Sequence, residues 1–323
     1  MKRFASIELL ARRESLLAAD PVAQRVVALT QLEDELTEET DALVRHELHA
    51  LHAKMRLHGD THAGLLITLD RLTERYRSTG RLAKALETAE REMSLTEALY
   101  GQSHLQTLTW LNNTAEILWL LGRLDESEDY FTQAHRGFVE QLGDSDLSTL
   151  QVLENLTLVC SQLGRVVDTE RLLRELLRLL SAVYDDGSNE RVLNLTMQLG
   201  SVVIAQRRIN EALEIFTTCL HLTESIYGQN HSQVAVCHDQ LGRCWFLLGN
   251  MEQAETAFLR SMQLVSSSNA VLSLTERQRL HNNLAMVAIA KRSHAAVVQK
   301  LQAEYQLDTG TISVPATYTN YVA

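Results

Sequence analysis

Proline is almost missing from this chain, with two residues in 323, and aromatic residues make up only 5%. With so few helix breakers and so few strand-forming clusters, against many Leu, Ala, Glu, Gln and Arg, the expected fold is all-α. Long apolar runs are absent as well. Stretches such as Thr169 to Val183 are interrupted by arginines and acids, so none reaches the roughly 18–20 apolar residues that a bilayer crossing needs. A basic surplus is lacking too, since 30 Lys and Arg face 41 Asp and Glu for a net charge of −11. That balance argues against nucleic acid and against an anionic membrane as partners, because both need clustered positive charge. The four cysteines, Cys160, Cys219, Cys237 and Cys244, show no CxxC spacing and sit in apolar helical runs. They read as buried free thiols of a reducing compartment rather than as disulfides or zinc ligands. No Gly-rich phosphate loop, Gly-x-Ser-x-Gly, His-Glu-x-x-His or calcium-loop pattern is present, so neither a cofactor nor an enzyme activity is expected.

What the chain does have is a period. Tyr100-Gly101-Gln102-Ser103-His104 returns as Tyr227-Gly228-Gln229-Asn230-His231, and His62, His104 and Asp146 stand 42 residues apart. Gly80-Arg81-Leu82 returns at Gly122-Arg123-Leu124 and Gly164-Arg165-Val166, then as Arg207-Arg208-Ile209 and Gly249-Asn250-Met251. A period this regular means stacked units. Within each unit, apolar residues three, four and seven apart predict two amphipathic helices joined at the glycine turn. Seven residues before that turn stand Thr73, Ala115, Thr157, Gly200, Gly242 and Ala285. Nine after it come Ala89, Phe131, Leu173, Phe216 and Phe258. Small residues facing large ones at fixed offsets let the helices of a pair interlock.

Leu111-Asn112-Asn113-Thr114-Ala115-Glu116, followed by Leu121-Gly122-Arg123, and its second copy His281-Asn282-Asn283-Leu284-Ala285 resemble tetratricopeptide repeats. With its 42-residue period and Gly-x-x-His link, the pattern is similar to the repeats of kinesin light chains. The resemblance implies an α-α superhelix, here of about seven helix pairs over residues 21–305: 22–59, 62–101, 104–143, 146–186, 189–228, 231–269 and 273–305. The family's proline after the linker histidine and its N-terminal heptad coiled coil are missing, and Arg207 and Arg292 replace the turn glycine. Residues 1–20 are expected to form an N-terminal capping helix, and residues 306–323 an extended C-terminal tail.

In resembling repeats a peptide lies in the concave groove, against first-helix side chains. Two residues before the small position this chain has Arg71, Asn113, Asn155, Gln198, Gln240 and Asn283, and one residue earlier Asp70, Asn112, Glu154, Met197, Asp239 and Asn282, with Glu74 and Glu116 a turn on. An amide offers a donor and an acceptor together and can pair with a peptide backbone without reading its side chains. The acids favour a neutral or basic segment. The candidate groove residues are therefore Asn112, Asn113, Glu116, Glu154, Asn155, Gln198, Asp239, Gln240, Asn282 and Asn283. A merely solvated polar face is the plain alternative. His46, His49 and His52 spread too widely around one predicted helix to converge on a metal, so no metal is expected. The linker histidines His62, His104 and His231 read as capping or turn-packing residues.

These readings converge on a non-enzymatic scaffold or adaptor that binds a protein or peptide partner in a cytoplasmic setting. The light-chain resemblance implies a cytoskeletal or motor-linked context. A structural subunit of a large permanent assembly, axonemal, ribosomal or similar, is the open alternative. The basic, amphipathic start MKRFASIELLARRESLL keeps mitochondrial import open, although Glu8 and Glu14 count against it. The oligomeric state is left undecided.

Overall fold

The computed structural model describes residues 28–32, 35, 39, 41–183, 190–267 and 274–305. The expected capping helix at 1–20 and tail at 306–323 lie outside these residues. The chain divides into two compact units, residues 1–163 and 164–323. The first holds α1 (Ala42–His58), a 3-10 turn (Ala63–Leu65), α2 (Leu66–Ser78), α3 (Leu82–Tyr100), α4 (Leu105–Leu120), α5 (Leu124–Leu142) and α6 (Leu147–Gln162). The second holds α7 (Val166–Val183), α8 (Glu190–Ala205), α9 (Ile209–Tyr227), α10 (Ser232–Leu247), α11 (Met251–Ser267) and α12 (Leu274–Tyr305). No strand occurs among the described residues. Each helix packs on the next along its unit, which is the all-α repeat stack that the period predicts.

Two kinds of loop set this arrangement. Within a pair, the second residue after the first helix turns left-handed: φ is 75° at Gly80, 77° at Gly122 and 80° at Gly249. The next amide then reaches back, Arg81 N–H to the Tyr76 carbonyl at 2.8 Å and Arg123 N–H to the Leu118 carbonyl at 3.0 Å. That bond is the signature of a helix end closed by a left-handed residue. Arg207 adopts the same conformation at φ 61° without being glycine, and the Arg208 amide still bonds the Val203 carbonyl at 3.2 Å. An L side chain there costs roughly 1–2 kcal/mol, so the packing of α8 on α9 must hold it. Beside this turn, Glu170 accepts hydrogen bonds from Arg174, Arg208 and Gln206. Burial alone would raise its carboxyl, but these donors pull it down to about 2.

Between pairs, the chain enters the next pair on a side-chain cap, at the 3-10 turn before α2 for His62 and at the first helix itself for His104, Asp146 and His231. Nδ1 of His62, His104 and His231 accepts from the amides of Gly64, Gln106 and Gln233 at 3.0, 3.2 and 3.2 Å, and Asp146 does the same for Ser148 at 2.8 Å. Each histidine also stacks on the ring four residues earlier, His58, Tyr100 or Tyr227, with centroids 4.5–4.8 Å apart. Capping and turn packing are thus the work of these histidines, as their place in the repeat suggested.

The cores follow the small-against-large columns. A Cβ on Gly200 would come within 2.5 Å of the Phe216 ring, and one on Gly242 within 2.6 Å of Phe258. Those glycines are small because a phenylalanine occupies their space. The four cysteines are buried and form no disulfide, and burial pushes the Cys219 thiol up to about 12 and Cys244 to about 11.

One element departs from the expectation. The segment 273–305 was read as a helix pair turning at Arg292, but Leu274–Tyr305 is one 32-residue helix. No left-handed residue interrupts it, and without such a residue the chain has no means of reversing.

Candidate functional site

The candidate residues lie on first helices of successive pairs, from α4 to α12. In the first unit the first helices are α2, α4 and α6. Asn112, Asn113 and Glu116 are half-buried on α4, and Glu154 and Asn155 are half-buried on α6. The structure brings three of them together. The Asn112 amide donates to Glu116 Oε1 at 2.9 Å, and the Asn155 amide donates to Asn112 Oδ1 at 3.3 Å and Glu116 Oε1 at 3.2 Å. Gln151 donates to Asn155 Oδ1 at 3.3 Å, and Arg77 of α2 reaches Glu116 Oε2 at 3.7 Å. Side chains of three successive first helices therefore form one lateral polar chain. Asn113 stands beside it, its Oδ1 receiving a long contact from Asn112 at 3.4 Å, and its own amide donates to no described residue.

The second unit uses the same columns differently. Gln198 on α8 and Asn282 on α12 are exposed, and Gln240 accepts from Arg243 at 2.9 Å. Asp239, on α10, is only 1% exposed. Its Oδ1 accepts from the Asn283 amide at 2.9 Å, and its Oδ2 lies 3.1 Å from Arg279, both on α12. A carboxylate this buried requires such partners. Asp239 and Asn283 thus tie two helices together, while Gln198 and Asn282 remain free of that link.

Sequence reasoning did not single out Arg77, Gln151 or Arg279, although Gln151 and Arg279 stand a turn from a candidate and Arg77 stands a turn from Glu74. It also missed Glu92 on α3. That carboxyl is 2% exposed and its Oε2 has no hydrogen-bond partner. Burial, with a smaller push from Asp70, raises it to about 9, so it is protonated at neutral pH. A signal was present: the same repeat position holds Ala134, Leu176, Cys219 and Ser261, a column with no other carboxylic acid.

Chemically, the first helices of the first unit offer amide and carboxylate groups at half-exposed positions, and Ile67 and Leu120 on the same helices are exposed. Among the described residues no group of three or more His, Cys, Asp or Glu could hold a metal ion, and no helix is long and apolar enough to cross a membrane.

The tetratricopeptide repeat family model matches residues 76–138, 106–182 and 191–267, together more than half of the chain. Among solved structures, the chain is similar to the nearly identical tetratricopeptide-like repeats of a candidate kinesin light chain from Podosopora anserina. That match has 16% identity and a TM-score of 0.57, and covers 64% of this chain and 98% of the other. It is also similar to BtubC (BKLC) from P. vanneervenii, at 15% identity and a TM-score of 0.56, covering 75% of this chain and 94% of the other. At such identities the likeness is one of fold. A search of curated proteins finds no sequence match. Repeat period, left-handed pair turns, small-against-large columns and family model agree: the chain belongs to the tetratricopeptide repeat family, and its fold resembles that of kinesin light chain repeats.

Proposed function

We propose that this protein is a non-catalytic binding scaffold, an adaptor that takes a neutral or basic partner segment on the inner-helix face of its first unit. The observation that carries the reading is the half-exposed set Asn112, Asn113, Glu116, Glu154 and Asn155 on α4 and α6. Carboxylates at such positions favour cationic side chains, and the unbonded Asn113 amide can donate to a bound backbone. Asn113 is the residue whose loss separates binding from folding, because Asn155 also bridges α4 and α6. A cytoplasmic place, linked to the cytoskeleton, is the setting suggested by the likeness to light-chain repeats.

The lateral bonds favour a second reading, a permanent subunit of a larger assembly, since a face stiffened by its own hydrogen bonds suits fixed packing. A pull-down with mass spectrometry at low and high salt separates the two. An adaptor gripping a basic segment loses its partners at high salt, whereas a subunit brings a stoichiometric set at both. Recovery of no partner at either salt would count against both readings.

A further inference from the structure

Single large apolar side chains on a protein surface are common and need no explanation. In the first unit they are not single. Eight are exposed among its described residues, and five of these, Leu57, Tyr100, Leu105, Leu142 and Leu147, sit where one helix pair hands over to the next. Leu147 is 60% exposed and Leu57 76%. None of the five belongs to the amide columns of the candidate site.

The repeat explains how they come together. Tyr100 and Leu142 are the last residues of α3 and α5, and Leu105 and Leu147 are the first residues of α4 and α6. Each pair is one position met twice at the 42-residue step, so the edge carries two apolar rows. The stack of Tyr100 on His104, with centroids 4.8 Å apart, draws the rows toward each other, because Leu105 follows His104 directly. Leu57, one residue before the stacked His58, adds an apolar group at the preceding loop. The second unit has no such rows among its described residues: Tyr227 is half-buried, and Ser232 stands at the leucine position.

Charge and spacing say what fits there. Residues 56–62, 97–106 and 139–148, which hold these loops, carry five acids, Asp60, Glu97, Glu140, Asp144 and Asp146, against one cation, Arg56. An apolar strip with acidic flanks is complementary to an apolar stripe with basic flanks. Asn155 bonds Asn112, and the Trp119 indole donates to Gln162 at 2.8 Å, so α4 and α6 run side by side. Helices packed in this way stand about 8–10 Å apart, and two turns of an α-helix rise about 10.5 Å. A helix laid along the edge therefore meets one repeat for every two of its turns. Its side chains three or four apart reach both rows.

We propose that this edge is a second docking surface whose occupant is a basic amphipathic α-helix of a partner protein. Its apolar stripe lies over Tyr100, Leu105, Leu142 and Leu147, and its lysines or arginines lie beside the flanking acids. The surface shares no residue with the amide and carboxylate set of α4 and α6, so each can be removed without the other.

The test is fluorescence anisotropy of the full chain with a labelled synthetic helix that has leucines three, four and seven apart on one face and lysines on both flanks. Binding is expected, and it should fall ten-fold or more when the peptide is scrambled or when glutamates replace its lysines. Leu105→Ser with Leu147→Ser should weaken it ten-fold or more at an unchanged melting temperature, because both side chains are exposed and such surface changes cost little stability. Glu140→Gln with Asp144→Asn should weaken it several-fold and flatten its salt dependence, which keeps the test decisive should the serine variant unfold. Glu116→Gln with Glu154→Gln should leave it intact. No binding up to about 100 μM overturns the proposal, whether the edge takes no helix or is already taken by another segment of this chain. Equal binding of the scrambled or glutamate peptide overturns it, as does binding indifferent to the serine and charge variants, or a loss that follows Glu116 and Glu154 instead. Sedimentation of the chain alone covers the remaining occupant: self-association that the serine variant abolishes gives the edge to a second copy and overturns the assignment to a partner helix.

Discussion

Each unit buries a carboxyl on one of its helices, and the two are held in opposite ways. Asp239 in the second unit has a cation, Arg279 at 3.1 Å, and an amide, Asn283 at 2.9 Å. Glu92 in the first has neither on its Oε2 and is kept neutral by burial, its carboxyl pushed up to about 9. The same chemical group is a latch between helices in one place and a stored proton in the other. Burial alone does not decide which, because Asp239 and Glu92 are 1% and 2% exposed. What decides is whether the neighbouring helix presents a cation.

Removing the latch should have the largest effect. Asp239→Ala leaves Asn283 without its acceptor and half-exposed Arg279 to solvent, and should cost about 2–3 kcal/mol, the order of a lost hydrogen bond to a charged group. Chemical denaturation checks the magnitude, and faster amide exchange in α12 than in α2 to α5 checks the location. The opposite sign is expected at Glu92. The folded state holds a proton that the unfolded state releases above about pH 4.5, so stability falls as pH rises from there to about 9. Glu92→Gln removes that slope and should stabilise the protein by about 2 kcal/mol at pH 7, with the gain growing toward pH 9 and vanishing below pH 4.5. Equal melting curves for the two proteins at pH 5 and pH 8.5 would contradict the contrast.

The comparison can also be broken from the second unit. Arg279→Met takes the cation from Asp239 and should destabilise by about 1–2 kcal/mol at neutral pH. Denaturation midpoints of the native chain and the variant at neutral pH measure this. The smallest effect is expected at exposed Asp70, whose charge adds to the rise at Glu92. Asp70→Asn should raise stability at pH 8 by a few tenths of a kcal/mol, as expected for a solvent-screened charge.

Much of the fold was legible because it rests on local, repeating constraints. A glycine that must turn left-handed, a His or Asp that caps the next helix and a small residue under a phenylalanine leave marks at a fixed period. The straight run of α12 was not legible. Arg207 and Arg292 occupy the same repeat position, yet one turns left-handed and the other continues a helix. The cost of a left-handed arginine is small enough for packing beyond the turn to decide. In the candidate site, the column of amides was visible in the sequence, but its lateral bonds were not. Asn155 reaches Asn112 and Glu116, 43 and 39 residues back, and that reach depends on how α6 lies along α4. The Asp239 latch was hidden for the same reason, since Arg279 reaches it from a turn before its repeat counterpart, Asn282.

Whether the inner face of the first unit takes a neutral or basic segment is most directly measured by panning a random ten-residue peptide library against the full chain and against a Glu116→Gln, Glu154→Gln variant. The expected outcome is enrichment of peptides with Lys or Arg on the native chain, a loss of that enrichment of ten-fold or more on the variant, and melting temperatures that differ by only a few degrees. Enrichment that is acidic, absent, or equal on both proteins would contradict the assignment of this face as the binding surface.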